Sequence, residues 1–219
     1  EYHVHAPNEA RSKSKIDFVF IIIDNNNPQK GVHHAIHIIH PIPPVFDADS
    51  RILILGSFPS VKSRESCFFY GHPQNRFWKL LARLRKEDVP SSIEEKKEFL
   101  LRNHIAVWDT IHSCSIEGSS DSSIRDVVPN DLASILDHAS IQAIYTNGGL
   151  SGKMYDRFCR KQTGIEQSNC RPPAANAAWN LDRLTDAWKC INQILGKPGS
   201  ETKSTVSEGN AHGAKTRCI

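Results

Sequence analysis

The sequence has no apolar run near the roughly 18 residues that a membrane-crossing helix needs. Its longest candidate, Phe18 to Ile23, falls far short. It has no basic start leading into a longer apolar stretch and a small-residue cleavage site, so no secretory signal is expected and an intracellular location is. It has no C-x-x-C pair. The cysteines at 67, 114, 159, 170, 190 and 218 are scattered, which argues against a zinc or iron–sulfur centre and leaves reduced thiols as the expectation. It has no G-x-x-x-x-G-K-[ST] stretch, which counts against a nucleotide-binding phosphate loop. It has no strong charge imbalance either: 27 Lys and Arg face 24 Asp and Glu, a formal net charge of +3. A sequence pI near 8.5 permits a nucleic-acid partner without demanding one.

What is present fits a soluble globular chain. There are 219 residues, 39% hydrophobic and 23% charged, enough for one domain or one domain with tails. Residues 1–40 read poorly as a domain, with a coil signal at Asn25-Asn26-Asn27-Pro28. His33, His34, His37 and His40 could gather on a helix, but no carboxylate or cysteine joins them at a ligand spacing, so a solvated or partly packed histidine run is expected. From Gly196 onward almost no apolar residues remain. Such a segment cannot offset its ordering entropy, so 196–219 reads as a disordered tail.

The middle, 41–195, alternates strand and helix signals. Arg51 to Gly56 is a short apolar run ending in glycine, as a buried parallel strand should be. Phe77, Leu80, Leu81 and Leu84 mark one face of a helix. Ser92 and Glu95 make a capping box for a helix over about 93–103. Ile105 to Trp108 and Ile141 to Thr146 read as strands, with an amphipathic helix through Leu132, Ile135, Leu136 and Ala139 between them. A helix over about 150–160, a short strand near 165–170 and a last helix lined by Leu181, Leu184, Trp188, Ile191 and Leu195 complete the pattern. The expectation is an α/β fold with helices on both faces of an open sheet. Ligands bind beyond the carboxyl ends of the strands in such folds. The loops after Leu55, Trp108, Thr146 and about Cys170 should therefore form the site.

Those loops carry chemistry. Gly56-Ser57-Phe58-Pro59-Ser60 is a stiffened turn. Lys62, Arg64 and Arg76 are interleaved with Phe68, Phe69 and Tyr70, as befits phosphate contacts beside surfaces that stack on a base. Phe77 and Trp78 begin a helix and should pack into the core.

Three stretches, Leu-Gly-Ser-Phe-Pro-Ser at 55–60, Tyr-Gly-His-Pro-Gln-Asn-Arg-Phe-Trp at 70–78 and Glu-Gly-Ser-Ser-Asp-Ser-Ser-Ile at 117–124, resemble the hypoxanthine-DNA (deoxyinosine) glycosylases, a branch of the uracil-DNA glycosylase superfamily. The resemblance runs from about His40 to Leu195. It implies a three-layer αβα sandwich around a four-stranded parallel sheet, with 41–195 as the glycosylase-like domain. It also implies a monofunctional DNA glycosylase that flips out a deaminated base and hydrolyses its glycosidic bond. Hypoxanthine is the expected substrate, with uracil or xanthine as further candidates. No cofactor or metal is implied. The expected partner is double- or single-stranded DNA, met by a monomer away from membranes.

The resemblance also nominates residues. Other branches place an Asp or Asn in the first loop to position water, where this chain has Phe58; the branch pattern moves an Asn to the next loop, here Asn75. An amide can orient water, and equally Asn75 can cap a helix. Asp109 follows the second strand and either lines the crevice or caps a turn. His72 either donates to the leaving base or sits in solvent, and Asn147 either lines the pocket or fills a left-handed turn. In the fourth loop the family's Ser-Thr-Ser-Pro-Ala-Asn run becomes Arg171-Pro-Pro-Ala-Ala-Asn176, with Arg171 where other branches place a catalytic His. The catalytic nomination is thus Asn75, Arg171 and Ser57. The base-binding nomination is Phe58, His72, Asp109 and Asn147, and the DNA-binding one is Ser60, Lys62, Arg64, Arg76 and Asn176. The altered fourth loop leaves a non-catalytic DNA-binding module on the same scaffold as the alternative.

Overall fold

The computed structural model describes residues 35–118, 120–167, 173–175 and 179–198. The expectations for the segment 1–34, for Arg171 and Asn176 and for the tail from 199 lie outside these residues. In chain order the elements are β1 (Ile36–Ile39), β2 (Ile52–Gly56), α1 (Val61–Glu65), α2 (Phe77–Arg85), α3 (Ile93–Arg102), β3 (Ile105–Asp109), β4 (Ile111–Ile116), β5 (Arg125–Pro129), α4 (Ala133–Leu136), β6 (Ala143–Thr146), α5 (Gly149–Met154), α6 (Arg160–Thr163), α7 (Leu181–Trp188) and α8 (Asn192–Leu195). A wide turn over Tyr155–Cys159 joins α5 to α6.

The strands β3, β2 and β6 form a parallel sheet in that order. Ile52 to Leu55 are fully buried because both faces of β2 are covered. Ile52 and Ile54 pack with α2, α3 and α7 through Phe77, Leu80, Leu81, Phe99, Leu184 and Trp188. Leu53 and Leu55 pack on the opposite face with Ile135, Tyr155 and Cys159. This gives the expected three layers. Helix α3 starts where its capping box requires: Ser92 accepts from the Glu95 N–H, and the Glu95 carboxylate accepts in return. Hydrogen bonds from the Ser91 N–H and hydroxyl, joined by the one from the Ser92 N–H, hold the Glu95 carboxyl below its ordinary range.

The sheet differs from expectation in strand number. Three parallel strands are formed among the described residues, not four; where a fourth was expected near 165–170, one parallel bridge joins Gln167 to Ile144. Gln167 instead spends its side chain across the layers, accepting from Thr146 Oγ1 at 3.0 Å and donating to the Gly152 carbonyl at 2.9 Å. The structure also contains a second sheet that periodicity did not reveal, antiparallel and ordered β1-β4-β5. Its strands mix Ile and Val with Ser, His, Arg and Asp and lack a clean apolar alternation. Strand β1 lies before residue 41, on the N-terminal side of the expected domain boundary.

Thr110 alone separates β3 from β4, so the chain passes there from one sheet to the other. Its N–H and hydroxyl both donate to the Gly56 carbonyl, at 2.9 and 3.2 Å. Asn130 braces the crossing by donating to the carbonyls of Asp109 and Ile111. Cys67, Cys114 and Cys159 are free, with burial pushing Cys114 and Cys159 up to about 11, whereas Cys190 is disulfide-bonded. The expectation of reduced thiols throughout therefore fails at Cys190. No described helix is long and apolar enough to cross a membrane.

Leu53 sits at the centre of the α4–α6 layer. Leu53→Ala should cost about 2–5 kcal/mol in equilibrium urea unfolding, through lost burial and the cavity left behind. A loss under about 1 kcal/mol would show that this layer does not close tightly on the sheet.

Candidate active site

The parallel register aligns Gly56 with Asp109 and Leu55 with Thr146, so three strands end together and their loops converge. Between them lies a cavity of about 780 Å3, lined by the first loop from Gly56 to Ser63, by Phe69 to Arg76 in part, by Asp109 and by Asn147 to Ser151. Ala174, from the fourth loop, closes one side.

At the floor, Gly56 is needed for a reason beyond its turn. A Cβ at this position would overlap the Asp109 carboxylate oxygen Oδ1, so glycine lets the carboxylate rest on the backbone of the first loop. The other oxygen, Oδ2, accepts from His40 Nε2 at 2.8 Å, with both side chains almost wholly buried. The His40 tautomer follows from its other nitrogen. Nδ1 lies 3.2 Å from the Ile42 N–H and accepts from it, which leaves the proton on Nε2. The imidazole is wedged among Phe58, Phe69 and Trp108.

Beside this pair stands Tyr70. Its ring stacks on Phe77 at 3.7 Å between centroids, and its backbone takes a left-handed φ of 54°. Its hydroxyl is the one buried side-chain polar atom among the described residues without a hydrogen-bond partner. Burial and, next, the Asp109 carboxylate raise its pKa far above the ordinary phenol value, with Asn147 pulling the other way. Tyr70 therefore stays a neutral hydroxyl.

Most nominated residues that can be seen meet at this cavity. Ser57, Phe58, Ser60, Lys62, His72, Asn75, Arg76, Asp109 and Asn147 all line it. Their surroundings refine what each can do. Asn75 Oδ1 accepts from the Phe77 N–H at 3.0 Å at the start of α2, so its amide nitrogen is the part left to act on a ligand. Phe58 is nearly buried, packs with Ile111, Cys114 and Ile116, and carries Arg64 over its ring at 5.9 Å. His72 Nδ1 accepts from the Gln74 N–H at 3.2 Å in an exposed turn. Asn147 Oδ1 accepts from the Ala175 N–H at 2.9 Å, tying the third loop to the fourth. Next to it, Gly148 has a φ of 105°, and a Cβ there would crowd the Ala174 methyl.

The cations divide. Lys62 is exposed and paired with Glu65 at 2.8 Å. Arg64 does not line the cavity: its guanidinium donates to the carbonyls of Pro59 and Gly118, bracing the first loop. Arg76 donates to the Trp179 carbonyl, joining the second loop to the entrance of α7. Ser60 caps α1 by accepting from the Ser63 N–H. No three His, Cys, Asp or Glu side chains among the described residues gather as a metal site; His37 lies exposed on β1 and His40 is spent on Asp109.

The family model described as the uracil DNA glycosylase superfamily matches residues 43–194. The chain belongs to that superfamily. It is similar to the hypoxanthine DNA glycosylase of Methanosarcina barkeri, 38% identical over 113 residues, which cover 51% of this chain and 72% of that protein. A Methanosarcina acetivorans protein of the same name is 37% identical over the same share. A solution NMR structure from M. acetivorans, described as a uracil DNA glycosylase, shares 30% identity at a TM-score of 0.61, covering 72% of this chain and 99% of that one.

Sequence reasoning missed His40 and read Tyr70, with Phe68 and Phe69, as a surface for stacking on a base, whereas Phe68 and Phe69 are buried in the core and the Tyr70 ring stacks on Phe77. His40 looked like one more member of a histidine run and precedes the segment that the family matches. Tyr70 stood in an aromatic cluster, and only its unpaired hydroxyl sets it apart.

The contact of Gly56 with Asp109 leaves no room for a methyl. Gly56→Ala should destabilise the fold by about 1–3 kcal/mol, the usual cost of overpacking, as read by urea unfolding. Wild-type stability would show that Asp109 has space to withdraw.

Proposed function

We propose that this glycosylase-superfamily protein hydrolyses the N-glycosidic bond of a deaminated base in DNA, hypoxanthine foremost, and leaves an abasic site. The observation that carries the reading is the convergence of four loops on one cavity, with polar groups at its floor and aromatic walls. A base inside a duplex cannot reach such a floor. It has to be extruded, and the cavity offers both the volume and the polar edge that an extruded base requires. The names of the Methanosarcina relatives support hypoxanthine over uracil and xanthine.

Cleavage of an N-glycoside builds positive charge on the sugar and negative charge on the departing base. The protein's main task is to stabilise the latter, with modest help to water. In this reading the Asn75 amide nitrogen holds the attacking water or the base, its oxygen being engaged by Phe77. Ser57 and His72 offer donors along the same wall, Asn147 and Asp109 read the base, and Phe58 closes the floor. Arg171 offsets charge on the leaving base, and Asn176 supports the flipped nucleotide. Ser60, Lys62 and Arg76 lie at the rim, where DNA phosphates would pass, while Arg64 acts by shaping the first loop.

Monofunctional hydrolysis suits the cavity. A lyase needs a desolvated lysine as Schiff-base nucleophile, and the lysine at this cavity, Lys62, is exposed and salt-bridged. We propose a monomer acting on duplex or single-stranded DNA without a cofactor.

The test incubates the protein with duplexes carrying hypoxanthine, uracil or xanthine and reveals abasic sites with alkali. Strand breaks at hypoxanthine are expected, and none at any of the three would refute the reading. Asn75→Ala and Asn75→Ser should each slow single-turnover cleavage by at least about tenfold, the effect of losing one oriented polar contact. The serine keeps an acceptor for the Phe77 N–H, so full activity of Asn75→Ser would reduce Asn75 to a helix cap.

A further inference from the structure

We propose that His40 is a positioning residue for base selection: its Nε2–H holds one oxygen of Asp109 so that the other meets the lactam N–H of the extruded base. The inference rests on the glycosylase reading above and adds the basis of its selectivity.

The geometry leaves the Asp109 carboxylate with a divided role. Oδ2 is taken by His40 at 2.8 Å, and the Ile42 N–H fixes the tautomer that makes this donation possible. Oδ1 lies against Gly56 at the cavity floor and receives no protein hydrogen bond among the described residues. The neighbouring Tyr70 hydroxyl could have been its donor but is left unpaired. Oδ1 is not sealed in the protein, since Tyr70 Oη is the one buried unpartnered side-chain polar atom among the described residues. A carboxylate with one oxygen held by the protein and the other open to the cavity is an acceptor for a donor from the ligand.

Deamination changes the base edge in a way such an acceptor can detect. Adenine and cytosine present a ring-nitrogen lone pair between the exocyclic group and the neighbouring ring carbon. Hypoxanthine, xanthine and uracil present an N–H at that ring position, beside a carbonyl. A fixed carboxylate attracts the N–H and repels the lone pair, so this one group favours hypoxanthine over adenine and uracil over cytosine, whereas guanine and thymine, which carry the same N–H, are not distinguished by it. Selection of this kind requires the carboxylate to be held still. Asp109 at the end of β3 would otherwise be free to rotate about its side-chain torsions, and His40 removes that freedom.

The supporting element is the antiparallel sheet. His40 directly follows β1, its N–H donates to the His112 carbonyl at 2.6 Å, and β1 is registered on β4 from Ile36–Ile116 to Ile39–Ser113. β4 in turn continues from Asp109 through Thr110. The two members of the pair thus come from the two sheets that meet at Thr110, and the packing of Phe58, Phe69 and Trp108 around the imidazole keeps water from competing.

The test uses duplexes with hypoxanthine or 1-methylhypoxanthine opposite an abasic spacer, so that base pairing does not distinguish them. Methylation replaces the lactam N–H with a methyl group and leaves the neighbouring carbonyl in place, so the donor is lost and bulk is gained; a steric effect alone would persist in the His40 variants. Wild-type protein should cleave hypoxanthine at least about tenfold faster in kcat/KM, the effect of one hydrogen bond to a charged group. His40→Phe should lower kcat/KM on hypoxanthine and shrink the preference by a similar factor. His40→Gln, which keeps an N–H donor, should restore most of the preference. Melting temperatures of both variants separate folding from selection. A folded His40→Phe with the full wild-type preference would overturn the inference while leaving the glycosylase reading intact. Equal wild-type cleavage of both bases would overturn it even if His40→Phe fails to fold. No cleavage of either base would overturn both.

Discussion

The carboxylate of Asp109 rests so close to the Gly56 backbone that no side chain fits between them, and much of the site follows from that contact. It is set by the parallel register of β2 and β3, which pairs these two residues at the ends of their strands. Register is strongly specified where both faces of a strand are buried, because a one-residue slip would turn every apolar side chain to the wrong layer. The packing of Ile52 and Ile54 on one face and Leu53 and Leu55 on the other is therefore also what brings a carboxylate to the floor of a cavity. Core and site are fixed by the same alignment.

The second constraint is the passage between sheets at Thr110. A strand that ended at Asp109 in an ordinary loop would leave its last side chain loosely held. Here the backbone is tied to Gly56 and Ser57 on one side and to Asn130 on the other. The antiparallel sheet then returns the chain to within reach of β1, and His40 arrives at the carboxylate from the opposite direction. The polar floor is buried, but its charge is not left alone. A buried carboxylate without a partner would carry a large desolvation cost, and His40 offsets it while leaving one oxygen to the cavity.

The parallel sheet and its helices were legible because their signals are local. The run at 52–55, the Ser92–Glu95 capping box and the helical spacing of Phe77, Leu80, Leu81 and Leu84 each announce one element, and each element forms. The cavity was legible at the level of loops, since carboxyl ends of parallel strands meet by topology. The antiparallel sheet was not, because β4 reads Ile-His-Ser-Cys-Ser-Ile and β5 reads Arg-Asp-Val-Val-Pro, so neither shows clean alternation. Of the fourth strand, the described residues show one parallel bridge at Gln167, whose amide links Thr146 to Gly152 across layers, while 168–170 lie outside the described residues. His40 could not be singled out from its neighbours because its partner lies 69 positions away. The cation at 64 looked free for phosphate, whereas its guanidinium is engaged by carbonyls of the first loop and Gly118.

The central claim is that this cavity receives an extruded base with its ring edge toward Asp109. The most direct measurement is a crystal structure of the protein bound to duplex DNA carrying a carbocyclic, non-hydrolysable analogue of deoxyinosine. The account predicts the hypoxanthine ring out of the helix, seated between the 56–60 loop and Asn147, with its N–H within hydrogen-bond distance of Asp109 Oδ1. A ring still stacked in the duplex, or seated with that edge turned away from Asp109, would contradict it.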